Sequence, residues 1–85
     1  MIILYFDYSS QLNVHSTLRY QLPQNAEIRL SLIDAAGRLV WDETLPGEAG
    51  VNRITIDASL LPAGVYLIRL EALNYIERAK VILLK

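Results

Sequence analysis

The stretch AEIRLSLIDAAGRLVW, residues 26–41, decides the fold because apolar and polar side chains alternate along it. The apolar positions that share one face of an extended chain are Ile28, Leu30 and Leu32. Arg29 and Ser31 point to the other side, as a half-buried antiparallel strand requires. Residues 34–37 predict a short loop in which Gly37 takes a positive φ, and the apolar run after it predicts the return strand. The stretch therefore predicts a β-hairpin with one buried face.

The same alternation recurs along the rest of the chain. The further side chains predicted to face the core are Leu18, Tyr20, Leu22, Ile54, Ile56, Ala79, Val81 and Leu83. Pro23 ends the first of these runs because it lacks an N–H, and a polar turn around Asn74 joins the last two. About seven short antiparallel strands with turn signals between them predict an all-β sandwich, in one domain over residues 1–85.

The stretch LLPAGVYLIRL, residues 60–70, has the composition of a corner between two sheets. In Greek-key sandwiches of the Ig-like or fibronectin-like kind, a tyrosine after such a corner buries its ring while its hydroxyl bonds a backbone group upstream. Tyr66 follows Pro62 and Gly64 at a suitable distance. We therefore expect all three to be structural, with Pro62 fixing φ and Gly64 adopting a conformation that other residues resist.

The bulk composition excludes several classes of function. At 85 residues there is room for one core, and 53% hydrophobic against 20% charged residues is typical of an ordered globular domain. Eight basic and nine acidic residues give a net charge of −1, so no single-sign field attracts nucleic acid or an anionic membrane. Cysteine is absent, which excludes disulfides, thiolate zinc sites and cysteine nucleophiles.

The N-terminal run MIILYF is apolar but short. It cannot insert across a bilayer, which needs about 20 apolar residues. It also has neither the basic flank nor the small-residue cleavage site of a signal peptide. We therefore expect the chain to begin either as a cytoplasmic protein or as a fragment of a larger one.

Side chains that could carry chemistry are few. His15 is the only histidine and lies in a polar stretch, so we interpret it as a surface residue. Asp42, Glu43 and Glu48 could bind a hard cation such as calcium, but a solvated strand end is the interpretation that we favour. The sequence therefore predicts no catalytic residue, no cofactor and no metal site.

Two apolar features leave alternatives open. Trp41 is one position out of step with Val40, so it either packs in the core, which we favour, or marks a contact surface. The N-terminal run, with Ile2, Leu4 and Phe6 on one face, predicts a strand that pairs either within its own sheet or with another copy. An unpaired apolar edge there would favour a homodimer.

Three motifs occur in order along the chain: a Gly-Arg-Leu-Val hairpin, a Leu-Pro-x-Gly-Val-Tyr corner and a final Lys-Val-Ile-Leu-Leu-Lys strand. They occupy residues 37–40, 61–66 and 80–85. Together they resemble the type A C-terminal sorting domain of the type IX, or Por, secretion system. LNVHSTLRYQLP is similar to the Phe-Asn-Pro-Ser-Thr-Thr-Ile-Arg-Tyr-x-Leu-Pro opening of many members. The Pro-Asn-Pro that usually leads into the domain is missing, and Val14 stands where its second proline is expected. The likeness covers about residues 12–85, and residues 1–11 could be an extra or altered strand.

The resemblance implies a non-catalytic recognition signal with protein partners. In the family, the cargo crosses the inner membrane by the general secretory route, and the outer-membrane translocon recognises the folded sandwich. A cell-surface sortase commonly removes the domain while linking the cargo to lipopolysaccharide. The resemblance therefore implies a secreted or cell-surface destination for an attached cargo.

We expect the recognition surface to lie at the corner and on the terminal strand, where an edge strand would offer unpaired backbone donors and acceptors. Its predicted residues are Pro62, Gly64, Tyr66, Lys80, Val81, Ile82, Leu83, Leu84 and Lys85. The alternative function is a structural Ig-like accessory domain that packs against its neighbours or self-associates, because the hairpin and corner motifs occur there too. The absence of a cargo sequence favours the accessory domain, and the end of the chain at Lys85 favours the sorting signal.

Overall fold

The computed structural model describes residues 3–6, 11–12 and 15–84. Within these residues, strands form where apolar and polar side chains alternate along the sequence. They are β1 (Ile3–Phe6), β2 (Gln11–Leu12), β3 (His15–Leu22), β4 (Ala26–Asp34), β5 (Leu39–Gly47), β6 (Gly50–Asp57), β7 (Gly64–Ala72) and β8 (Tyr75–Leu83). Six of them are eight or nine residues long, and β1 and β2 are short additions. The predictions for Ile2, Val14 and Lys85, and for the face shared by Leu4 and Phe6, lie outside the described residues and side chains. No helix that could cross a membrane is found in the described ranges.

The strands form two sheets, which confirms the predicted all-β sandwich. One sheet has the order β1-β3-β6 and the other the order β2-β8-β7-β4-β5. The prediction that all strands are antiparallel is wrong at one pair, because β2 runs parallel to β8. An alternating pattern fixes which side chains share a face, but the direction of a neighbouring strand depends on how the chain connects them.

The N-terminal strand pairs within its own chain. β1 lies antiparallel to β3, with Leu4 opposite Tyr20, and β3 pairs on its other side with β6. Of the two pairings that the sequence allowed, the structure therefore has the one inside the sheet. A homodimer stays a prediction.

The core lies between the two sheets and is almost entirely apolar. The apolar side chains with at most 9% of their surface exposed are Leu18, Tyr20, Leu22, Ile28, Leu30, Leu32, Ile54, Ile56, Ala58, Tyr66, Ile68, Leu70, Ala72, Val81 and Leu83. Every predicted inward residue is in this set except Ala79, which is half-buried. Burial also raises the pKa of the Tyr20 phenol, because the interior disfavours the phenolate.

Ser31 points away from this core, as predicted, but it is completely buried. β4 is an inner strand of the five-stranded sheet, and its two neighbours place Asp42 and Arg69 on either side of Ser31. A small side chain between two longer ones has little access to solvent. Alternation alone therefore predicted the direction of Ser31 correctly and its exposure wrongly.

A bulge in β5 settles the position of Trp41. The register between β4 and β5 pairs Leu32 with Trp41 and Ile33 with Leu39, so Val40 is the extra residue. Trp41 thus lies on the core side, opposite Leu32, and both it and Val40 are partly buried against the core. The favoured interpretation, that Trp41 packs in the core, is confirmed in part, because its side chain is only partly buried there.

Residues with positive φ form the turns of two hairpins, and a carboxylate also stabilises the first of them. Gly37 has a φ of +84°, as predicted for the first hairpin, and Leu73 and Asn74 have φ values of 54° and 67° in the second. In the first hairpin, Asp34 Oδ1 accepts hydrogen bonds from the backbone N–H groups of Ala36 at 3.0 Å and Arg38 at 2.9 Å. The Asp34 carboxylate therefore replaces backbone partners that the loop lacks.

Candidate recognition surface

The corner before β7 is built by local hydrogen bonds. Asp57 Oδ1 accepts the backbone N–H of Ser59 at 3.0 Å, and this bond is the main reason that the pKa of the Asp57 carboxyl is below its ordinary value. The hydroxyl of Tyr66 donates to the Pro62 carbonyl oxygen at 2.5 Å, with 5% of Tyr66 exposed. Gly64 has a φ of +155°, which side chains rarely adopt. The structural interpretation of the corner is confirmed.

The sheet register brings the corner and the terminal strand together. Gly64 lies opposite Leu83, and Val65 lies opposite Ile82, in the antiparallel pairing of β7 with β8. The two parts of the predicted surface, about twenty residues apart in sequence, therefore form one end of the same sheet. This adjacency results from the Asn74 hairpin, which folds β8 back along β7.

The predicted residues divide into an exposed and a buried group. The exposed members are Pro62, Gly64, Lys80, Ile82 and Leu84, and the buried members are Tyr66, Val81 and Leu83. Lys85 lies outside the described residues. Within β8 the two groups alternate, since successive side chains of a strand point to opposite faces. A docking partner can contact only the exposed group. The buried group packs in the core and so keeps the exposed side chains in position.

The sequence of residues 8–84 matches the family described as the secretion system C-terminal sorting domain. The chain belongs to this family. The sorting domain thus carries a C-terminal sorting role in type IX secretion, which agrees with the resemblance that the motifs indicated. No curated protein matches it.

Membership has three general consequences for the sorting domain. Domains of this family direct a cargo protein that is secreted or placed on the cell surface. They interact with proteins of the secretion machinery, and the family is in general non-catalytic. The exposed residues of the corner and of β8 are therefore candidates for a protein contact.

β8 is not a free edge strand over its whole length. β2 pairs with it at Ile82 and Leu83, so the backbone at the end of β8 is partly used. From Tyr75 to Val81, the edge of β8 that faces away from β7 pairs with no described strand. The side chain of Ile82, rather than unpaired backbone groups, is therefore the main feature offered by the paired end of β8.

Groups that could have carried chemistry are separated or already paired. His15 Nδ1 lies 3.8 Å from Asp57 Oδ1, and both side chains are more than 60% exposed, at 68% and 63%. Asp42 forms an ion pair with Arg29 at 2.9 Å, on the opposite side of β5 from Glu43. Within the described ranges, no group of three His, Cys, Asp or Glu side chains could hold a metal ion.

The acidic turn between β5 and β6 is organised by amides. Ala49 donates its backbone N–H to Asn25 Oδ1 at 2.8 Å. Asn52 accepts the backbone N–H of Glu48 at 3.0 Å and donates to the Glu48 carbonyl at 2.7 Å. These bonds give the turn a structural explanation that needs no cation.

Val65 is an exposed neighbour of the candidate surface that the sequence motifs did not single out. It is 40% exposed and lies directly across from Ile82, which is 45% exposed. The signal was present in GVYLIRLEA, because an apolar residue one position before the buried Tyr66 must point outward. An apolar residue at an outward strand position is therefore a signal for a contact surface, just as one at an inward position is a signal for the core.

Proposed function

We propose that this domain is the C-terminal sorting signal of a larger cargo protein, and that the outer-membrane translocon docks on the exposed residues of the corner and of β8. A surface sortase then removes the domain. The observation that carries the proposal is the match of residues 8–84 to the sorting-domain family. The adjacency of Gly64 and Leu83 supports the position of the docking surface, since it joins two exposed segments into one end of the sheet.

A secretion assay tests the sorting role. The chain is fused behind a signal peptide and a fluorescent reporter and expressed in a Gram-negative host with a type IX system, beside a translocon-deficient strain. We expect reporter at the surface or in the medium only when the translocon is intact. Folded fusion that stays in the periplasm of both strains would instead favour a structural accessory domain.

Sortase removal is tested in the same strains by the mass of the exported reporter. We expect a reporter that has lost the domain in a sortase-positive strain and one that retains it in a sortase-deficient strain. Export of an uncut fusion in both strains would remove the sortase from the proposal and leave the docking step.

The docking surface is tested at an exposed position, because deleting the end of β8 would also remove core residues. Leu84→Ser changes a side chain that is 45% exposed, and Val51→Ser is a matched control on the other sheet, where Val51 is 58% exposed. We expect export to fall for Leu84→Ser and not for Val51→Ser, with similar unfolding midpoints for both. Equal export would place docking elsewhere on the domain.

A further inference from the structure

The outer face of the five-stranded sheet carries a continuous apolar strip. In one cross-strand row Val65 lies opposite Ile82, and in the next row Leu67 lies opposite Ile33, which lies opposite Leu39. The outer strip is defined by these residues: Ile33, Leu39, Val65, Leu67 and Ile82. Leu39 is 49% exposed, and Ile33 and Leu67 are half-buried. The strip crosses four strands and begins at the predicted recognition surface.

Two cations border the strip. Lys80 lies opposite Leu67 and Arg78 lies opposite Arg69 on the same outer face of the sheet. Among the described residues neither Lys80 nor Arg78 forms an ion pair or a side-chain hydrogen bond. Both therefore keep their positive charge available to a ligand.

The other cations of this face are already neutralised. Arg29 lies 2.9 Å from Asp42, and Arg69 Nε lies 2.9 Å from Glu71 Oε1. The Arg69 contact is an electrostatic pair rather than an aligned hydrogen bond, because Nε finds no acceptor in suitable geometry. The unbalanced positive charge of the face is therefore concentrated at Arg78 and Lys80, beside the apolar side chains.

We propose that the outer strip is the docking surface for a segment of the secretion machinery whose apolar side chains are flanked by Asp or Glu. The inference rests on the proposed sorting function and names the chemistry of its partner. Apolar side chains on this segment would cover the strip, and its carboxylates would lie against Lys80 and Arg78. Complementary charge of this kind mainly sets specificity and the association rate.

Charge disfavours the other occupants of the strip. A two-fold dimer centred on it would bring a second Lys80 and Arg78 to the same interface without an acid to neutralise them. An anionic membrane would be attracted by only two unpaired cations on a chain with a net charge of −1. A protein segment with one or two carboxylates matches this arrangement.

The test uses two pairs of matched variants in the reporter fusion. Val65→Thr keeps the shape of the side chain but makes the strip polar, and Val51→Thr does the same at a site that is 58% exposed on the other sheet. Lys80→Glu reverses a charge beside the strip, and Arg53→Glu reverses one at an exposed position of β6 on the other sheet. Unfolding midpoints of the four purified domains show whether each still folds.

We expect Lys80→Glu to reduce translocon-dependent export by about tenfold or more, because the new carboxylate would lie against the carboxylates of the partner segment. Val65→Thr should reduce export by a few fold, and both controls should resemble the unchanged fusion. If the unchanged fusion is exported and all four variants match it, the outer strip is not the docking surface although the sorting function stands. If the unchanged fusion is not exported, the proposed function itself fails.

Two further measurements decide between occupants. The strip should not mediate self-association: light scattering should give the same mass for the purified domain and for Val65→Thr, and a dimer that Val65→Thr dissociates would make a second copy the occupant. Sedimentation with phosphatidylglycerol vesicles should leave the domain in solution, and binding that Lys80→Glu abolishes would make a lipid surface the occupant. Either of these results would overturn the proposal.

Discussion

The hydroxyl of Tyr66 donates a hydrogen bond to the carbonyl oxygen of Pro62, four residues earlier in the chain, at 2.5 Å. The ring is buried against the core while Pro62 is exposed, so one side chain links the interior to the corner. Because Gly64 and Val65 lie between these two residues and opposite β8, the bond also fixes the position of the candidate recognition surface.

Tyr66→Phe should lower the free energy of unfolding by about 1 kcal/mol, since it removes this one hydrogen bond and keeps the ring. The measurement is urea denaturation at neutral pH. Tyr75→Phe is the matched control, because Tyr75 is 53% exposed and its hydroxyl bonds no described residue. Equal effects of the two substitutions would show that the Pro62 bond contributes nothing to stability.

Gly47→Ala should destabilise the fold through steric overlap. A Cβ at this position would lie 2.5 Å from Leu22 Cδ1 and 3.1 Å from the Ala26 carbonyl oxygen, and Leu22 is 2% exposed with little room to move. Overpacking of this kind costs about 1 to 3 kcal/mol. The measurement is the midpoint of denaturant unfolding, with Glu48→Ala at the neighbouring exposed position as the control.

Leu22→Val removes the Cδ1 atom that the added Cβ would meet, so it provides a second check on this mechanism. The double variant Gly47→Ala with Leu22→Val should lose less stability than the sum of the two single variants. An additive result would locate the strain at the Ala26 carbonyl instead.

Asp34→Asn should weaken the dependence of stability on acid pH. The backbone N–H of Arg38, then that of Ala36 and the Arg38 guanidinium, hold the pKa of the Asp34 carboxyl below its ordinary value. A lowered folded-state pKa stabilises the fold above the unfolded-state pKa, and that stabilisation is lost as pH falls through the folded-state value. The original protein should therefore lose stability below about pH 4.

Unfolding free energies of both proteins, measured from neutral pH down to about pH 2, check this prediction. The difference between the original protein and Asp34→Asn should be largest near neutral pH and should narrow as the carboxyl is protonated. A difference that stays constant with pH would mean that the charge of Asp34 contributes nothing and that its hydrogen bonds alone matter.

Ser31→Ala should stabilise the domain or leave it unchanged. Ser31 is completely buried, and its Oγ finds no hydrogen-bond partner among the described residues. A buried hydroxyl without a partner costs about 1 to 3 kcal/mol, which alanine avoids. The thermal midpoint measures the change, and a clear decrease for Ser31→Ala would indicate that Oγ is satisfied by bound water.

Local physical rules account for the features that sequence predicted correctly. Alternation placed Leu30, Ile56 and Val81 in the core because successive side chains of a strand point to opposite faces. The corner residues Pro62 and Tyr66 were assigned correctly because their hydrogen bond spans only four residues. The motifs around them also indicated the family, which the match over residues 8–84 confirms.

The sequence by itself thus determined the β-strands, most of the core, the tyrosine corner and the family, all of which depend on neighbouring residues. Only the tertiary structure decided that β2 runs parallel to β8, that Ser31 is buried, and that Ile33, Leu39 and Leu67 form one row. These features depend on the pairing and register between strands that are distant in sequence. A period of two places a residue on a face of a sheet, but only its cross-strand neighbours determine what covers it.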